Sequence, residues 1–222
     1  MEPPEPFAAE FFCVCCRLPF INGAPLDAEG RCPLCRRGAR GFDAAYCFGA
    51  YEGRLRELIH LLKYGKVAPL SGSLGQLLVT AIPRDATFDT VVPVPLHWRR
   101  RWDRGFNQSA LLAEPVARRF GVPVASALRR RRPTASQAGL TSSRRRANVA
   151  GAFEVKRKQA VEGRRILLVD DVLTTGATAS ACGTALKRAG ARSVTVLTLA
   201  RVDRRIGREP FRSEPAAQGV AL

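Results

Sequence analysis

The chain has 222 residues, 46% of them hydrophobic, which is sufficient for one substantial core and a small additional module. It carries 36 lysine and arginine residues against 19 acidic ones, a formal net charge of +17. No apolar run approaches the roughly 18–20 residues that span a bilayer, and no basic stretch precedes an apolar one at the N-terminus. The sequence therefore predicts a cytoplasmic protein without membrane insertion.

The excess of cations indicates an anionic partner, and nucleic acid is the commonest partner of this kind. Most of the cations are arginine, and lysine occurs at only five positions. A preference for arginine explains which cation is used, but it does not explain why cations outnumber acids so strongly. A basic surface that promotes solubility and has no partner is the alternative interpretation.

Residues 1–45 are rich in cysteine, proline and glycine and show little hydrophobic periodicity, so this segment needs a metal or a cross-link in order to fold. Two pairs, Cys13-x-x-Cys16 and Cys32-x-x-Cys35, are separated by fifteen residues. Two thiolates from each of two knuckles are the usual ligands of a tetrahedral structural zinc ion. We therefore predict a zinc ribbon over residues 1–45, with four free thiols as the alternative.

Three further cysteines lie outside this pattern. Cys15 stands between the first two predicted ligands and is an alternative to either of them. Cys47 and Cys182 have no partner at ligand spacing, and small buried hydrophobic residues are the better interpretation of both.

From Tyr51 to about Val79 the sequence has helical periodicity, interrupted between Gly65 and Pro69. Leucine and isoleucine recur at spacings of three and four on one side, and the pattern assigns Lys63 to the opposite, polar side. An amphipathic helix that resumes after the interruption is expected here.

The rest of the chain alternates between strands and helices, which predicts a parallel α/β sheet over residues 46–205. Residues 206–222 have no periodicity and are predicted to be a flexible tail. The predicted strands and helices are, in chain order, Thr90–Val94, Ser109–Phe120, Ile166–Val169, Ala177–Ala189 and Val194–Leu199.

The most informative stretch follows the apolar run at residues 166–169. It places Asp170 and Asp171 at the end of a buried strand, followed by threonines, Gly176 and a new helix. The free N–H groups and positive dipole end of a helix N-terminus favour a phosphate. The two acids suit ribose hydroxyls, or a Mg²⁺ that the sugar and pyrophosphate also coordinate. An ordinary strand–turn–helix with capping residues is the alternative.

A second loop of unusual composition ends the strand at residues 90–94. Pro93-Val94-Pro95 is followed by four arginines, the last of them Arg104, which suit an anionic leaving group. His97 lies in the same loop, where a structural hydrogen bond is at least as good an interpretation as a chemical role. Residues 128–153 contain many arginines and no acid, which is also compatible with a solvated basic loop.

Together these motifs resemble the ComF family of competence proteins. Besides the cysteine pairs, the resemblance is carried by Pro93-Val-Pro-Leu-His97, Arg104-Gly-Phe-Asn-Gln108, Thr134-x-x-Gln137, Arg146-x-Asn148, Gly151-Ala-Phe153 and Asp170–Thr178. It covers the chain up to about Arg201. It implies an α/β fold of the type I phosphoribosyltransferase kind, a parallel sheet flanked by helices, with a small N-terminal zinc ribbon.

The resemblance also implies a site for 5-phosphoribosyl-1-pyrophosphate (PRPP) with Mg²⁺, in which Asp170 and Asp171 are the catalytic residues. The residues expected to bind PRPP are Val169, Asp170, Asp171, Thr174, Thr175, Gly176, Ala177, Thr178, Pro93, Val94 and Pro95. The residues expected to contact anions, most of them on a flexible loop that closes over PRPP, are Arg104, Gln137, Arg144, Arg146 and Asn148.

Two functions are compatible with these features. The first is a PRPP-binding phosphoribosyltransferase, which the resemblance links to DNA uptake in natural transformation and to single-stranded DNA handling, alongside a helicase-like partner. The second is a non-catalytic adaptor that binds nucleic acid and retains the fold. The intact loop after Val169 favours the first, whereas the charge of +17 and the arginine-rich segment favour the second.

Overall fold

A computed structural model of the chain describes residues 4–6, 9–20, 23–38, 41–96, 102–131 and 151–202. The strands are Phe11–Phe12 (β1), Pro19–Phe20 (β2), Ala44–Ala50 (β3), Thr90–Pro93 (β4), Leu128–Arg130 (β5), Phe153–Val155 (β6), Arg165–Leu173 (β7) and Ser193–Arg201 (β8). The α-helices are Pro33–Arg36 (α1), Gly53–Lys63 (α2), Leu70–Thr80 (α3), Gln108–Phe120 (α4) and Ala177–Arg188 (α5). A short 3-10 helix occupies Lys158–Ala160.

Four parallel strands form the central sheet in the order β3-β8-β7-β4. Successive side chains of β7 point to opposite faces, and both faces are buried: Ile166 and Leu168 pack in one cluster, Leu167 and Val169 in the other. This double burial explains why the strand is a continuous apolar run rather than an alternating one. The predicted parallel α/β sheet is confirmed.

Helices α2, α3 and α4 cover one face of the sheet, and α5 covers the other together with the N-terminal cysteine module. The helical periodicity of residues 51–79 corresponds to α2 and α3. Helix α4 ends at Gly121, whose φ of 63° is the left-handed conformation that glycine adopts readily. Within the described ranges, none of the helices is long and apolar enough to cross a membrane.

Strand β7 is longer than the sequence predicts. The apolar run ends at Val169, but the strand continues to Leu173 because residues 170–173 keep their parallel register with residues 198–201 of β8. Asp170 and Asp171, predicted at the end of the strand, therefore lie within it, and the connection to α5 is residues 174–176.

The N-terminal cysteine module shares its core with the sheet. Phe20 and Leu34 of the module belong to the same hydrophobic cluster as Val196 of β8. The backbone N–H of Ala45 in β3 donates a hydrogen bond of 2.8 Å to the carbonyl of Cys16. The module is thus packed against the face of the sheet that α5 covers.

The segment that joins this module to β3 passes directly over α5. A Cβ atom added to Gly183 would lie 2.3 Å from the carbonyl oxygen of Gly41, and one added to Gly41 would lie 2.1 Å from the carbonyl oxygen of Ser180. Both neighbours are backbone atoms, so no change of rotamer relieves the overlap. Glycine at both positions is what allows this close approach.

We predict that Gly183→Ala lowers the free energy of unfolding by about 1–3 kcal/mol, although alanine is the better helix former, because the new Cβ overlaps the Gly41 backbone. The matched control is Gly72→Ala. Gly72 is also helical, and an added Cβ would meet nothing within 4 Å. The control should leave the free energy unchanged or raise it by up to about 1 kcal/mol. Urea unfolding followed by circular dichroism measures the free energy of unfolding of both variants. Equal changes in Gly183→Ala and Gly72→Ala would contradict the close approach of Gly183 to the Gly41 backbone.

Candidate functional site

The four predicted metal ligands come together in the structure. Cys13 and Cys16 lie between β1 and β2, Cys32 precedes α1 and Cys35 lies within it, and their sulfur atoms all lie within 4.8 Å of one another. The Sγ atoms of Cys13 and Cys35 are 3.7 Å apart, as are those of Cys16 and Cys32. Tetrahedral zinc with Zn–S bonds of about 2.3 Å places its sulfurs about 3.8 Å apart, so the cluster fits an ion of this size.

Backbone amides orient the sulfur atoms of this cluster. The N–H of Cys32 donates to Sγ of Cys13 over 3.2 Å. The pKa values of Cys16 and Cys35 are raised, that of Cys16 by its hydrogen bond with Cys32 and that of Cys35 by burial. The pKa of Cys32 is lowered by the hydrogen bond from Cys16 and by the backbone amides of Cys35 and Leu34. Such donors stabilise thiolates, the form that binds a metal. Four thiolates close the coordination shell, which suits a structural ion.

The other three cysteines are separate from this cluster. Cys15 is exposed, so it does not replace Cys13 or Cys16 in the arrangement observed. Cys47 in β3 and Cys182 in α5 are buried, and burial raises the pKa of both thiols, that of Cys47 to about 12. Both behave as the small buried residues that the sequence predicts.

A cavity of about 340 Å³ lies where the carboxyl ends of β4 and β7 meet. These strands are neighbours, and the N–H of Val94 donates to the carbonyl of Val169 over 2.9 Å, so the two predicted loops face the same space. The predicted site residues that line the cavity are Val94, Pro95, Arg104, Asp170, Asp171, Thr174, Gly176, Ala177 and Thr178.

Three predicted residues lie beside the cavity rather than in its wall. Pro93 and Val169 are buried in their strands, and Val169 packs in the cluster on the side of α2, α3 and α4. The hydroxyl oxygen of Thr175 is buried and has no hydrogen-bond partner among the described residues. An orphaned hydroxyl next to a helix N-terminus fits a ligand that accepts hydrogen bonds.

The acid pair is held by neighbours from three elements. The Asp170 carboxylate accepts hydrogen bonds from the Ser109 hydroxyl of α4 over 2.9 Å and from the N–H of Asp171 over 3.0 Å. Asp171 forms an ion pair of 2.8 Å with Lys63, the last residue of α2. Burial raises the pKa of Asp170 to about 7, and the Asp171 charge adds to the effect. The pKa of Asp170 therefore lies well above that of an ordinary aspartate.

Gly176 shapes the loop between β7 and α5. Its φ of 74° is left-handed, and a Cβ at this position would lie 2.5 Å from Cδ1 of Leu34. Leu34 stands between the ligands Cys32 and Cys35, so the cysteine module contacts the predicted phosphate loop directly. Helix α5 begins at Ala177 without a side-chain cap, which leaves its first N–H groups for a ligand or solvent.

Sequence reasoning misses Lys63 and Ser109. The assignment of Lys63 to a solvent-facing side of the helix is wrong, since its side chain is only 14% exposed and lines the cavity. Helical periodicity separates polar from apolar positions, but it does not show that a polar residue meets a buried carboxylate on another element. The sequence offers only a weak signal that Lys63 is special: it is one of five lysines among the 36 lysine and arginine residues.

Part of the predicted site lies outside the described residues, namely Gln137, Arg144, Arg146 and Asn148, together with His97. The described ends of the arginine-rich segment, β5 and β6, form an antiparallel pair with Arg130 opposite Phe153. Arg130 lines the cavity, and its guanidinium lies 5.4 Å from the centre of the Phe153 ring. The base of this segment therefore borders the cavity.

Comparison with known proteins finds a family model and several relatives that are similar to this chain in sequence. A family model for the phosphoribosyl transferase domain matches residues 107–216. The chain is 39% identical over 158 residues to DNA utilization protein YhgH of Escherichia coli K12, which covers 68% of this chain and 69% of the relative. It is 32% identical over 179 residues to competence protein F of Haemophilus influenzae, with coverages of 77% and 78%. Competence protein ComFC of Bacillus subtilis is 38% identical over 114 residues, with coverages of 50% and 44%.

We predict that the purified chain holds one divalent metal ion and that Cys16→Ser abolishes this binding, because three sulfurs leave the shell incomplete. The matched control is Cys15→Ser, which changes the exposed neighbour and should keep the full equivalent of metal. Inductively coupled plasma mass spectrometry of desalted protein measures the content. A full equivalent in Cys16→Ser, or its loss in Cys15→Ser, would contradict the assignment.

Proposed function

This chain belongs to the ComF family of competence proteins, and we propose that it binds PRPP in the cavity between β4, β7 and α5. One observation carries the proposal: the acid pair, the Gly176 loop and the start of α5 border the same cavity. A phosphate accepts hydrogen bonds from N–H and hydroxyl groups, whereas ribose hydroxyls donate hydrogen bonds most favourably to carboxylates. The wall offers both kinds of group side by side.

Each part of PRPP has a counterpart in the wall. The 5-phosphate is assigned to residues 174–178, where threonine hydroxyls and the first N–H groups of α5 are the donors. The ribose hydroxyls are assigned to Asp170 and Asp171. The pyrophosphate is assigned to the Val94–Pro95 backbone and to Arg104, and a bound Mg²⁺ would neutralise part of its charge.

The reaction that such a site supports is displacement at the anomeric carbon of PRPP. An acceptor nitrogen forms a bond to this carbon while the bond to the pyrophosphate oxygen breaks, and pyrophosphate leaves with the bonding electrons. The acids hold the ribose in place and the cationic side of the cavity stabilises the departing charge, so the chain contributes positioning and electrostatics. On this basis we assign phosphoribosyltransferase chemistry with a nitrogen acceptor.

The ion of the cysteine cluster is proposed to be zinc. Four thiolates with sulfurs 3.7 Å apart in two pairs match the preference of zinc for soft ligands in tetrahedral geometry. The role assigned to it is structural, because four cysteine ligands close the coordination shell and the module contacts the Gly176 loop through Leu34.

Isothermal titration calorimetry of the metal-loaded protein with PRPP and Mg²⁺ tests the main proposal. We expect one site per chain, and binding that is roughly tenfold to hundredfold weaker in Asp170→Asn, because a charged acceptor of a ribose hydroxyl is lost. The matched control is Asp85→Asn, an exposed acid outside the cavity, which should bind as the wild type does. Folded, metal-loaded wild-type protein that binds no PRPP would overturn the proposal.

A second candidate function is single-stranded DNA binding beside the same cavity. Two exposed aromatic residues favour it, one in the cavity wall and one close to Arg104 in the chain. Tyr64 lines the cavity yet is 65% exposed, and the Arg104 guanidinium lies 5.2 Å from the centre of its ring. Trp102, two residues before Arg104, is 87% exposed. Aromatic rings with adjacent cations are the usual means of holding single strands without sequence preference. The names of the relatives, DNA utilization and competence proteins, agree with this function.

We predict that the chain binds an oligothymidylate with an affinity that falls steeply as salt rises, because phosphate contacts release counterions. Trp102→Ala should weaken binding by about 1–3 kcal/mol, the usual value of one stacked base. Phe12→Ala removes another exposed aromatic, on the ribbon, and serves as the control. Fluorescence anisotropy of a labelled oligonucleotide gives the affinities. Binding that is insensitive to salt, or equal losses in the two variants, would argue against a stacking platform beside the cavity.

A further inference from the structure

Lys63 is placed in the wall of the cavity by the end of α2. Its Nζ lies 2.8 Å from Oδ1 of Asp171, with 14% of the Lys63 side chain and 7% of the Asp171 side chain exposed. The same cavity is lined by Lys63, Asp170 and Asp171. A pair this deeply enclosed is little weakened by solvent, unlike a surface ion pair. Lys63 is therefore part of the cavity and not of the outer helix surface.

One carboxylate oxygen of the pair Asp170 and Asp171 has no hydrogen-bond donor among the described residues. Asp170 accepts from the Ser109 hydroxyl and the Asp171 N–H, and Asp171 uses Oδ1 for Lys63. Oδ2 of Asp171 is buried and has no hydrogen-bond partner among the described residues. A buried carboxylate oxygen without a donor is costly unless a ligand supplies one. This orphaned atom lies beside the cavity to which the ribose hydroxyls are assigned.

The other cations of the cavity wall have additional contacts. Arg104 donates to the side-chain oxygen of Gln108 over 2.9 Å and lies over the Tyr64 ring. Arg130 lies over the Phe153 ring. Lys63 is the cation for which a direct ion pair with the acid pair is observed in the described part of the chain. Its position in the last turn of α2 also favours a positive charge, because the helix dipole is negative there.

We propose that Lys63 is a positioning residue of the PRPP site: it acts as a built-in counter-cation that holds Asp171 in place beside Asp170, so that the free oxygens of the acid pair accept hydrogen bonds from the ribose hydroxyls. The inference rests on the proposed function and adds to it a residue from an element that the loop motif does not include. The ammonium group does not touch the reacting atoms. It acts through Asp171, and through Asp171 on Asp170.

The charges around Asp170 and Asp171 show in which direction a neutral residue at position 63 would shift the pKa of Asp170. The pKa of Asp170 is already raised to about 7 by burial and by Asp171, while Lys63 and the Ser109 hydroxyl work in the opposite direction. Burial opposes the charge of Lys63, yet its pKa lies above the ordinary value because of Asp171 and Asp170, with a smaller contribution from Tyr51. Removal of the ammonium group thus favours a proton on the acid pair, and a protonated carboxyl group is the poorer acceptor.

The test compares Lys63→Met, Lys63→Gln and Lys63→Arg with the wild type, using PRPP affinity measured by calorimetry with Mg²⁺ between pH 6 and pH 9. Both neutral variants should bind at least tenfold more weakly at pH 7 and recover as the pH rises, with the midpoint of the profile about one unit or more above that of the wild type. Lys63→Arg should restore much of the affinity. Lys66→Met, which removes an exposed charge three residues away, is the matched control and should follow the wild-type profile.

A second measurement needs no ligand. The carboxyl ¹³C signal of Asp170, assigned by its loss in Asp170→Asn, should titrate at a higher pH in the neutral Lys63 variants than in the wild type. An equal loss of affinity at every pH, together with an unshifted Asp170 titration, would overturn the role of Lys63 while leaving PRPP binding intact. Wild-type protein that binds no PRPP would remove the proposed function instead, and the carboxyl titration would still report on Lys63. The use of two neutral variants guards against a folding defect in one of them.

Discussion

The burial of two adjacent carboxylates at the end of a central parallel strand is the constraint on which the rest of this structure depends. Strand β7 is covered on both faces and lies between β4 and β8, so the Asp171 side chain is buried and Asp170 is partly buried. Buried charges are tolerated only when other groups compensate them. Here the compensation comes from Lys63 of α2 and Ser109 of α4, which explains why both helices end or begin at this edge of the sheet.

The parts of the fold that could be predicted from the sequence are those that depend only on short, continuous segments of the chain. The double-sided burial of β7, the cysteine spacing and the stop at Gly121 are local patterns, and the structure contains all three. The extension of β7 to Leu173 depends on pairing with β8, and the burial of Lys63 depends on a carboxylate more than a hundred residues away in the chain. Neither partner is visible in the periodicity of the segment itself.

The cysteine module and the predicted phosphate loop are separate segments of the sequence, but in the structure they are in contact. Leu34 of the cysteine module contacts the position where Gly176 bends the loop, and the Arg201 guanidinium of β8 lies 3.7 Å from the centre of the Phe20 ring in the same module. The packing of the cysteine module therefore fixes one side of the loop. The module also shares one hydrophobic cluster with the sheet, so it does not form a separate core of its own.

The parallel pairing of β3 with β8 has a consequence for biosynthesis. Residues 44–50 pair with residues 195–201, so the first strand of the sheet finds its neighbour only after the ribosome has released the last one. Until then the nascent chain carries a cysteine module with an uncovered apolar side and a β3 edge without a partner. Such long-range parallel pairing is slow and leaves the growing polypeptide open to aggregation. Chaperone protection during translation is therefore most valuable for this N-terminal third of the molecule.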